Sequence, residues 1–294
     1  MTRLGAAVLG LLIAGFSMNL HAVSSRIPHS LQLRSAAAVV QDKQTGELLL
    51  VKKADVAMPI ASITKLMTAI VLLDGKLDMD ETITIEQGDK DTLRYSSSHL
   101  PVGTRLTRRQ ALLAALMASE NRAAHALGRT FPGGVAALVT AMNEKARVLE
   151  LNETRFADPT GLSDGNLSSA KDLTRLVEEA CRYPQICSFS TQPECTIQLG
   201  RRQLHFRNTN ALIRNPRWRI GLSKTGYIEE GGRCLVMQAQ LGQRSVLIVL
   251  LNSSGKHTHF ADAIRIKQWI EGSASPRREG SEPTRTKVVH AHHA

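Results

Sequence analysis

Ser62 and Lys65 stand three residues apart in Ser62-Ile63-Thr64-Lys65, so on a helix their side chains share one face a single turn apart. A hydroxyl beside an amine can be a nucleophile beside its base. That chemistry needs an uncharged amine. A lysine at its ordinary pKa is protonated at neutral pH, and burial or a nearby positive field must lower it. Leu66, Met67, Ala69 and Ile70 supply apolar surroundings, and the positive end of the helix acts in the same direction. Ser-x-x-Lys alone is a weak signal, because it recurs at Ser168/Lys171 and Ser253/Lys256.

Company sets the first pair apart. Ser119-Glu120-Asn121 falls at a break between two helical runs, and Lys224-Thr225-Gly226 falls on a strand-like run. Lys-Thr-Gly occurs once, and Ser-x-Asn recurs only at Ser17/Asn19 in the apolar leader. Each element has a chemical task. Ser119 can relay a proton to a leaving amine, Asn121 can bind a substrate amide, and Lys224 with Thr225 can hold a substrate carboxylate. Gly226 lets a substrate approach the strand edge. Taken singly, Ser119 and Asn121 read as helix caps, Lys224 as a surface charge and Gly226 as a bulge; the ordered set is what argues for a site.

The elements that must position these residues follow from the pattern. Residues 35–53 are two apolar runs around Asp42-Lys43-Gln44-Thr45-Gly46, which predicts an antiparallel hairpin. Ser62–Leu73, with Pro59 before it and Gly75 as its stop, predicts a buried helix. Residues 105–183 read as an all-helical block that opens on the capping box Thr107-Arg108-Arg109-Gln110. After an irregular stretch, strands return at Trp218–Tyr227, Cys234–Leu241 and Ser245–Leu251, followed by a closing helix over Phe260–Glu271. The simplest architecture is an α+β fold: an antiparallel sheet shared by both chain ends, with a helical subdomain (about 80–200) inserted.

The chain has 294 residues, 43% of them hydrophobic, which excludes a disordered protein. Aromatics are only 4%, too few for a base-stacking surface, so nucleic acid is not the expected partner. The formal charge of +11 draws the chain to polyanions in general, an acidic cell-wall polymer among them.

Residues 1–22 read as a cleavable export signal: Arg3, the apolar run Leu4–Phe16, and a small residue at Ala22. The run is shorter than the roughly 20 residues that span a bilayer. Residues 23–271 form the expected folded domain and 272–294 a solvated basic tail without the apolar stripe of a membrane anchor. Cys181, Cys187, Cys195 and Cys234 allow one or two disulfides in an exported chain, with structural or free thiols as the default. His125, in an Ala/Leu run, reads as a packed core residue, and His99 carries no signal. No spacing fits a metal site, so neither metal nor cofactor is expected.

The ordered motifs SITK, SEN and KTG resemble those of the penicillin-recognising serine acyltransferases, which include D-alanyl-D-alanine peptidases and serine β-lactamases. The segments SSSHLPVGT, LMASENRAAHALGRTFPGG, FADPTGLS, NTNALIR and LSKTGYIEEGGRCLVM are similar to those of the penicillin-binding protein 7-like D-alanyl-D-alanine endopeptidases, from about residue 35 to 271. The resemblance implies a β-lactamase/transpeptidase-like five-stranded antiparallel sheet flanked by helices, with the site in the cleft beside the helical subdomain. It implies hydrolysis of peptidoglycan stem-peptide cross-links through an acyl-enzyme, inhibition by β-lactam antibiotics and a periplasmic location. Ser62 becomes the nucleophile, Lys65 its base, Ser119 and Asn121 cleft partners, and Lys224 and Thr225 carboxylate binders. The backbone N–H groups of Ser62 and Tyr227 become the oxyanion hole.

Two departures favour the endopeptidase branch: there is no amphipathic C-terminal anchor, and Glu120 stands where related carboxypeptidases usually have Gly. The alternatives are a D,D-carboxypeptidase using the same acylation, a β-lactamase, or a non-catalytic penicillin-binding sensor. A β-lactamase needs a general base over the acyl bond; Asp158 and Asp164 lie in a suitable loop, but nothing aims either one.

Overall fold

The computed structural model describes residues 31–199 and 202–274; the predicted leader (1–22) lies outside the described residues, as does the predicted tail (272–294) except for 272–274, which end the last helix. In chain order, β1 (Ser35–Asp42) and β2 (Leu48–Lys52) form the predicted hairpin. Asp42 Oδ1 accepts the amides of Gln44 and Thr45 in its turn. A two-residue strand β3 (Met58–Pro59) leads into a 3₁₀ turn, Ala61–Thr64, and then α1 (Lys65–Asp74). β4 (Thr82–Thr84) pairs with β5 (Arg105–Thr107) ahead of α2 (Arg108–Met117), α3 (Asn121–Arg129) and α4 (Gly134–Val148). β6 (Leu167–Ser168), α5 (Ala170–Ala180) and α6 (Pro184–Thr191) follow, then the ribbon β7 (Glu194–Leu199) with β8 (Arg202–Arg207). The chain closes with β9 (Arg219–Ile228), β10 (Gly232–Leu241), β11 (Arg244–Ser253) and α7 (Thr258–Ala274).

The central sheet runs β2-β1-β11-β10-β9, antiparallel throughout, so the predicted five-stranded sheet shared by both chain ends is present. Successive residues of a strand face opposite sides, and here both sides are covered. Val39, Val236, Leu247, Val249 and Leu251 face one apolar layer with the inserted helices. Val40, Leu235, Met237, Ile248 and Leu250 face the other, under Ala263, Ile266 and Ile270 of α7. Two covered faces explain the uninterrupted apolar run of β11. α1 is buried from Lys65 to Leu72, as a helix that is apolar all round must be.

Two readings of the sequence are corrected. Residues 105–183 are not all helical: β5 completes a ribbon with β4, and β6 pairs with β3. The irregular stretch contains β7–β8, whose alternation is faint in the sequence because only Ile197 and Phe206 of the ribbon are buried. The capping box is present, with Thr107 Oγ1 accepting from the Gln110 amide and the Gln110 side chain accepting from the Thr107 amide. α5 packs against β1 and β11, so within the span 80–200 the helices divide between the inserted subdomain and the sheet.

α7 is tied to β1 by Asp262, which is fully buried and accepts from the backbone of Arg34 and Ser35, from the Ser35 hydroxyl at 2.6 Å and from Arg265 at 2.6 Å. Asp262→Ala leaves those donors unpaired in the interior. It is expected to lower unfolding free energy by about 3 kcal/mol, read by urea denaturation. A change under about 0.5 kcal/mol would show that the clasp is dispensable.

Candidate active site

Ser62 lies in the 3₁₀ turn and not in α1 as predicted. At the head of that turn Ala61 has a φ of +49°, outside the α-helical range, and the chain enters α1 through a 3₁₀ turn. Two glycines hold the turn in place. A Cβ on Gly161 would come within 2.0 Å of the Ala61 carbonyl oxygen, and one on Gly226 within 2.9 Å of the Ile60 carbonyl oxygen and 3.1 Å of the Ser62 amide nitrogen. Residues 60–62 are thus gripped between the 158–166 loop and β9. Side chains three apart eclipse on a 3₁₀ turn, and Lys65 Nζ lies 2.7 Å from Ser62 Oγ.

Lys65 is 1% exposed. Burial pulls its pKa down to about 7, although Asp158, Glu120 and Asp91 oppose that shift. Its other neighbours are Asn121 Oδ1 at 2.8 Å and the Thr160 carbonyl oxygen at 2.6 Å. A neutral amine has two N–H donors and one lone pair. Donation to Asn121 and Thr160 leaves the lone pair for the Ser62 hydroxyl proton.

Asp158 shapes the loop that offers Thr160. Its Oδ1 accepts from the Thr160 amide and hydroxyl and the Gly161 amide; its Oδ2 accepts from the Ser163 amide and Asn166 Nδ2. Burial works to raise its pKa, but hydrogen bonds from Thr160, Ser163 and Asn166 outweigh it and hold the carboxyl below its usual value.

Ser119 sits between α2 and α3 with φ +59°, a conformation that non-glycine residues seldom adopt and that concentrates at functional sites. Glu120 caps α3 and accepts from the Ser98 hydroxyl at 2.5 Å and the His99 amide at 3.3 Å, fastening the 96–100 segment to the cleft. Asn121 Nδ2 donates to Ser96 Oγ. On β9, Lys224 is 1% exposed and donates to Ser119 Oγ at 2.8 Å and the Thr225 carbonyl at 3.0 Å. Burial, then the proximity of Lys65, lowers its pKa well below the ordinary value. Thr225 Oγ1 donates to Thr209 Oγ1 at 2.6 Å, and Tyr227 is exposed beneath the Arg233 guanidinium, 4.3 Å from the ring centroid.

The site therefore contains two hydroxyl–amine pairs, Ser62–Lys65 and Ser119–Lys224, and all three motifs converge. The Thr160 carbonyl, Gly161, Ser96 and Thr209 join it without having been expected from the sequence, and Asp158, weighed there only as a base, joins it as the residue that shapes the loop. Backbone acceptors carry no residue-type signal, while Asp-Pro-Thr-Gly at 158–161 is a turn signature that could have flagged the loop. His125 is corrected: it is partly exposed and pairs with Asp89 at 2.8 Å, so it is no packed core residue. His99 stacks on Phe206. All four cysteines are free thiols. Among the described residues no cluster of three or more His, Cys, Asp or Glu is arranged to hold a metal ion.

Gly161→Ala must displace the turn that carries Ser62, because the clash is with backbone. The expected result is a fall of more than about tenfold in acylation by penicillin, with the circular dichroism spectrum retained. Acylation at the parent rate would show that the grip does not set the geometry.

Fold and site together define a penicillin-recognising serine acyltransferase. The architecture matches the crystal structure of the Streptomyces DD-transpeptidase with a TM-score of 0.76 at 27% identity, over 81% of this chain and 97% of that one. It matches a D-alanyl-D-alanine carboxypeptidase from Mycobacterium tuberculosis at 0.75 and 26%, over 87% and 96%. Residues 23–255 match the D-alanyl-D-alanine carboxypeptidase family, and the chain belongs to that family. A D-alanyl-D-alanine endopeptidase of Pseudomonas aeruginosa is 47% identical over 247 residues, 83% of this chain and 80% of its own length. One from Escherichia coli is 41% identical over 242 residues, 82% and 78% respectively.

Proposed function

We propose that this chain is an exported serine D-alanyl-D-alanine endopeptidase that cleaves peptidoglycan cross-links through an acyl-enzyme on Ser62 and is blocked by β-lactams. The observation that carries the reading is the buried Lys65 amine 2.7 Å from Ser62 Oγ, with its two N–H donors engaged elsewhere. The names of the Pseudomonas and Escherichia relatives support the endopeptidase branch.

Lys65 takes the Ser62 proton as Oγ attacks the D-alanyl carbonyl carbon. The Ser62 and Tyr227 backbone N–H groups receive the oxyanion. A proton then passes through Ser119 to the leaving amine, the C–N bond breaks, and the acyl group remains on Ser62 until water attacks it. Lys224 and Thr225 hold the carboxylate on the leaving side; its arrival favours the ammonium form of Lys224, offsetting the effect of burial. Asn121 orients Lys65 and borders the cleft where the substrate amide lies.

Asp158 spends both oxygens on its own loop, so it is a poor base for activating the deacylating water that a β-lactamase needs. Among the described residues no helix is long and apolar enough to cross a membrane. With residues 1–22 as the export signal and 23–271 as the peptidase domain, the reading places the enzyme in the periplasm.

Mass spectrometry of muropeptides tests this reading. Purified protein is expected to convert cross-linked dimers into monomers, and bound penicillin to stop it. Release of D-Ala from pentapeptides with dimers left intact would make the chain a carboxypeptidase instead.

A further inference from the structure

The two branches differ in what leaves the carbonyl carbon as Ser62 is acylated: a carboxypeptidase expels one amino acid, whereas an endopeptidase expels an amine carried by a second peptide strand, with its own ionised carboxyl groups. Such a strand needs a surface on the Ser119 side of the site. A cavity of about 410 Å³ opens there, lined by Ser119, His99, His205, Phe206 and Arg207 among others, and by none of Ser62, Lys65 or Asn121. Phe206 is buried and stacks with His99, which makes an apolar floor. His205 and Arg207 flank Phe206 on β8 and line the same cavity.

Those two residues are only loosely paired. Glu194 lies 3.4 Å from His205 Nε2 and 3.8 Å from Arg207 Nε, and Arg207 is 72% exposed. Exposed pairs at such distances are weak and exchange readily for a better-placed carboxylate. β8 also runs directly into Asn208-Thr209, and Thr209 accepts the Thr225 hydroxyl at the corner assigned above to the substrate carboxylate.

We propose that this cavity is the subsite for the leaving strand of the cross-link, with Arg207, assisted by His205, holding a carboxylate of that strand in the planar two-pronged manner of a guanidinium. It rests on the endopeptidase reading for the identity of the strand. The ribbon that bears the subsite, β7–β8, takes no part in acylation. Arg207 thus sets preference for cross-linked over monomeric stems without touching the reacting atoms.

The test uses the full chain, with a purified cross-linked dimer as probe. Binding is measured by calorimetry on a Ser62→Ala background, with and without Arg207→Glu, and turnover is measured for Arg207→Ala alone. Removing one charge-assisted hydrogen-bonded pair predicts dimer binding weaker by about tenfold to a hundredfold. In Arg207→Ala, KM for dimer rises by a similar factor, while fluorescent-penicillin labelling stays within about twofold of the parent. Equal binding with and without Arg207→Glu, or no binding to the Ser62→Ala chain, overturns the subsite. If that chain binds dimer through Arg207 but the active enzyme leaves dimers uncut, the subsite stands and the endopeptidase reading falls.

Discussion

Lys65→Ala is expected to keep its fold and to be acylated by a fluorescent penicillin about 10²–10⁴-fold more slowly than the parent, the usual worth of a positioned general base. In the parent the amine works only when neutral. With a pKa of about 7, the competent fraction falls roughly tenfold for each pH unit below that value and saturates above it. The acylation rate should therefore climb with pH through about 7 and level off on the alkaline side, and the Lys65→Ala variant should lose that climb. An unchanged rate in the variant would show that another group accepts the Ser62 proton. A flat parent profile from pH 5 to 9 would show that the titrating group is not rate-determining.

Ser62→Ala has the larger effect, because it removes the atom to which the acyl group bonds. Covalent labelling should vanish, intact mass should gain nothing from penicillin, and cross-link cleavage should drop by a factor on the order of 10⁶. The fold should be indifferent: Ser62 Oγ has one long contact to the Thr160 carbonyl, at 3.4 Å, besides Lys65. A penicillin adduct recovered from the Ser62→Ala chain on a different side chain would refute the assignment of the nucleophile and of the whole acyl-enzyme route.

Much of this site could be read from the residues, because each motif relies on a side-chain type that only one chemistry explains in that order. Lys65 heads an apolar run and Lys224 lies on a strand-like one, and both proved to be buried amines beside a serine hydroxyl. The strands of the central sheet were legible for a simple reason: with both faces covered, β11 is apolar without a break from Val246 to Leu251. The β7–β8 ribbon was not, since a strand pair lying mostly in solvent has little burial to write into its sequence.

The turn type at Ser62 was also illegible. Nothing in Ala61 announces a left-handed backbone; the conformation is imposed by Gly161 and Gly226, which approach from segments far along the chain. Glu120 shows the converse. It stands out in the sequence as a departure from a pattern, but its part in fastening Ser98 and His99 depends on tertiary proximity that sequence spacing does not reveal.

The pairing of β1 with β11 has a bearing on when this enzyme becomes active. Ser35 and Ser253 bond hydroxyl to hydroxyl across 218 positions of chain, so the first strand waits for the last before the middle of the sheet exists. Such long-range closure is slow and comes late. A polypeptide threaded through a membrane from its N-terminus would deliver Ser62 early but β9, with Lys224 and Gly226, only near the end. In a chain exported that way, hydrolytic competence would be withheld during transit and gained only with the last strand.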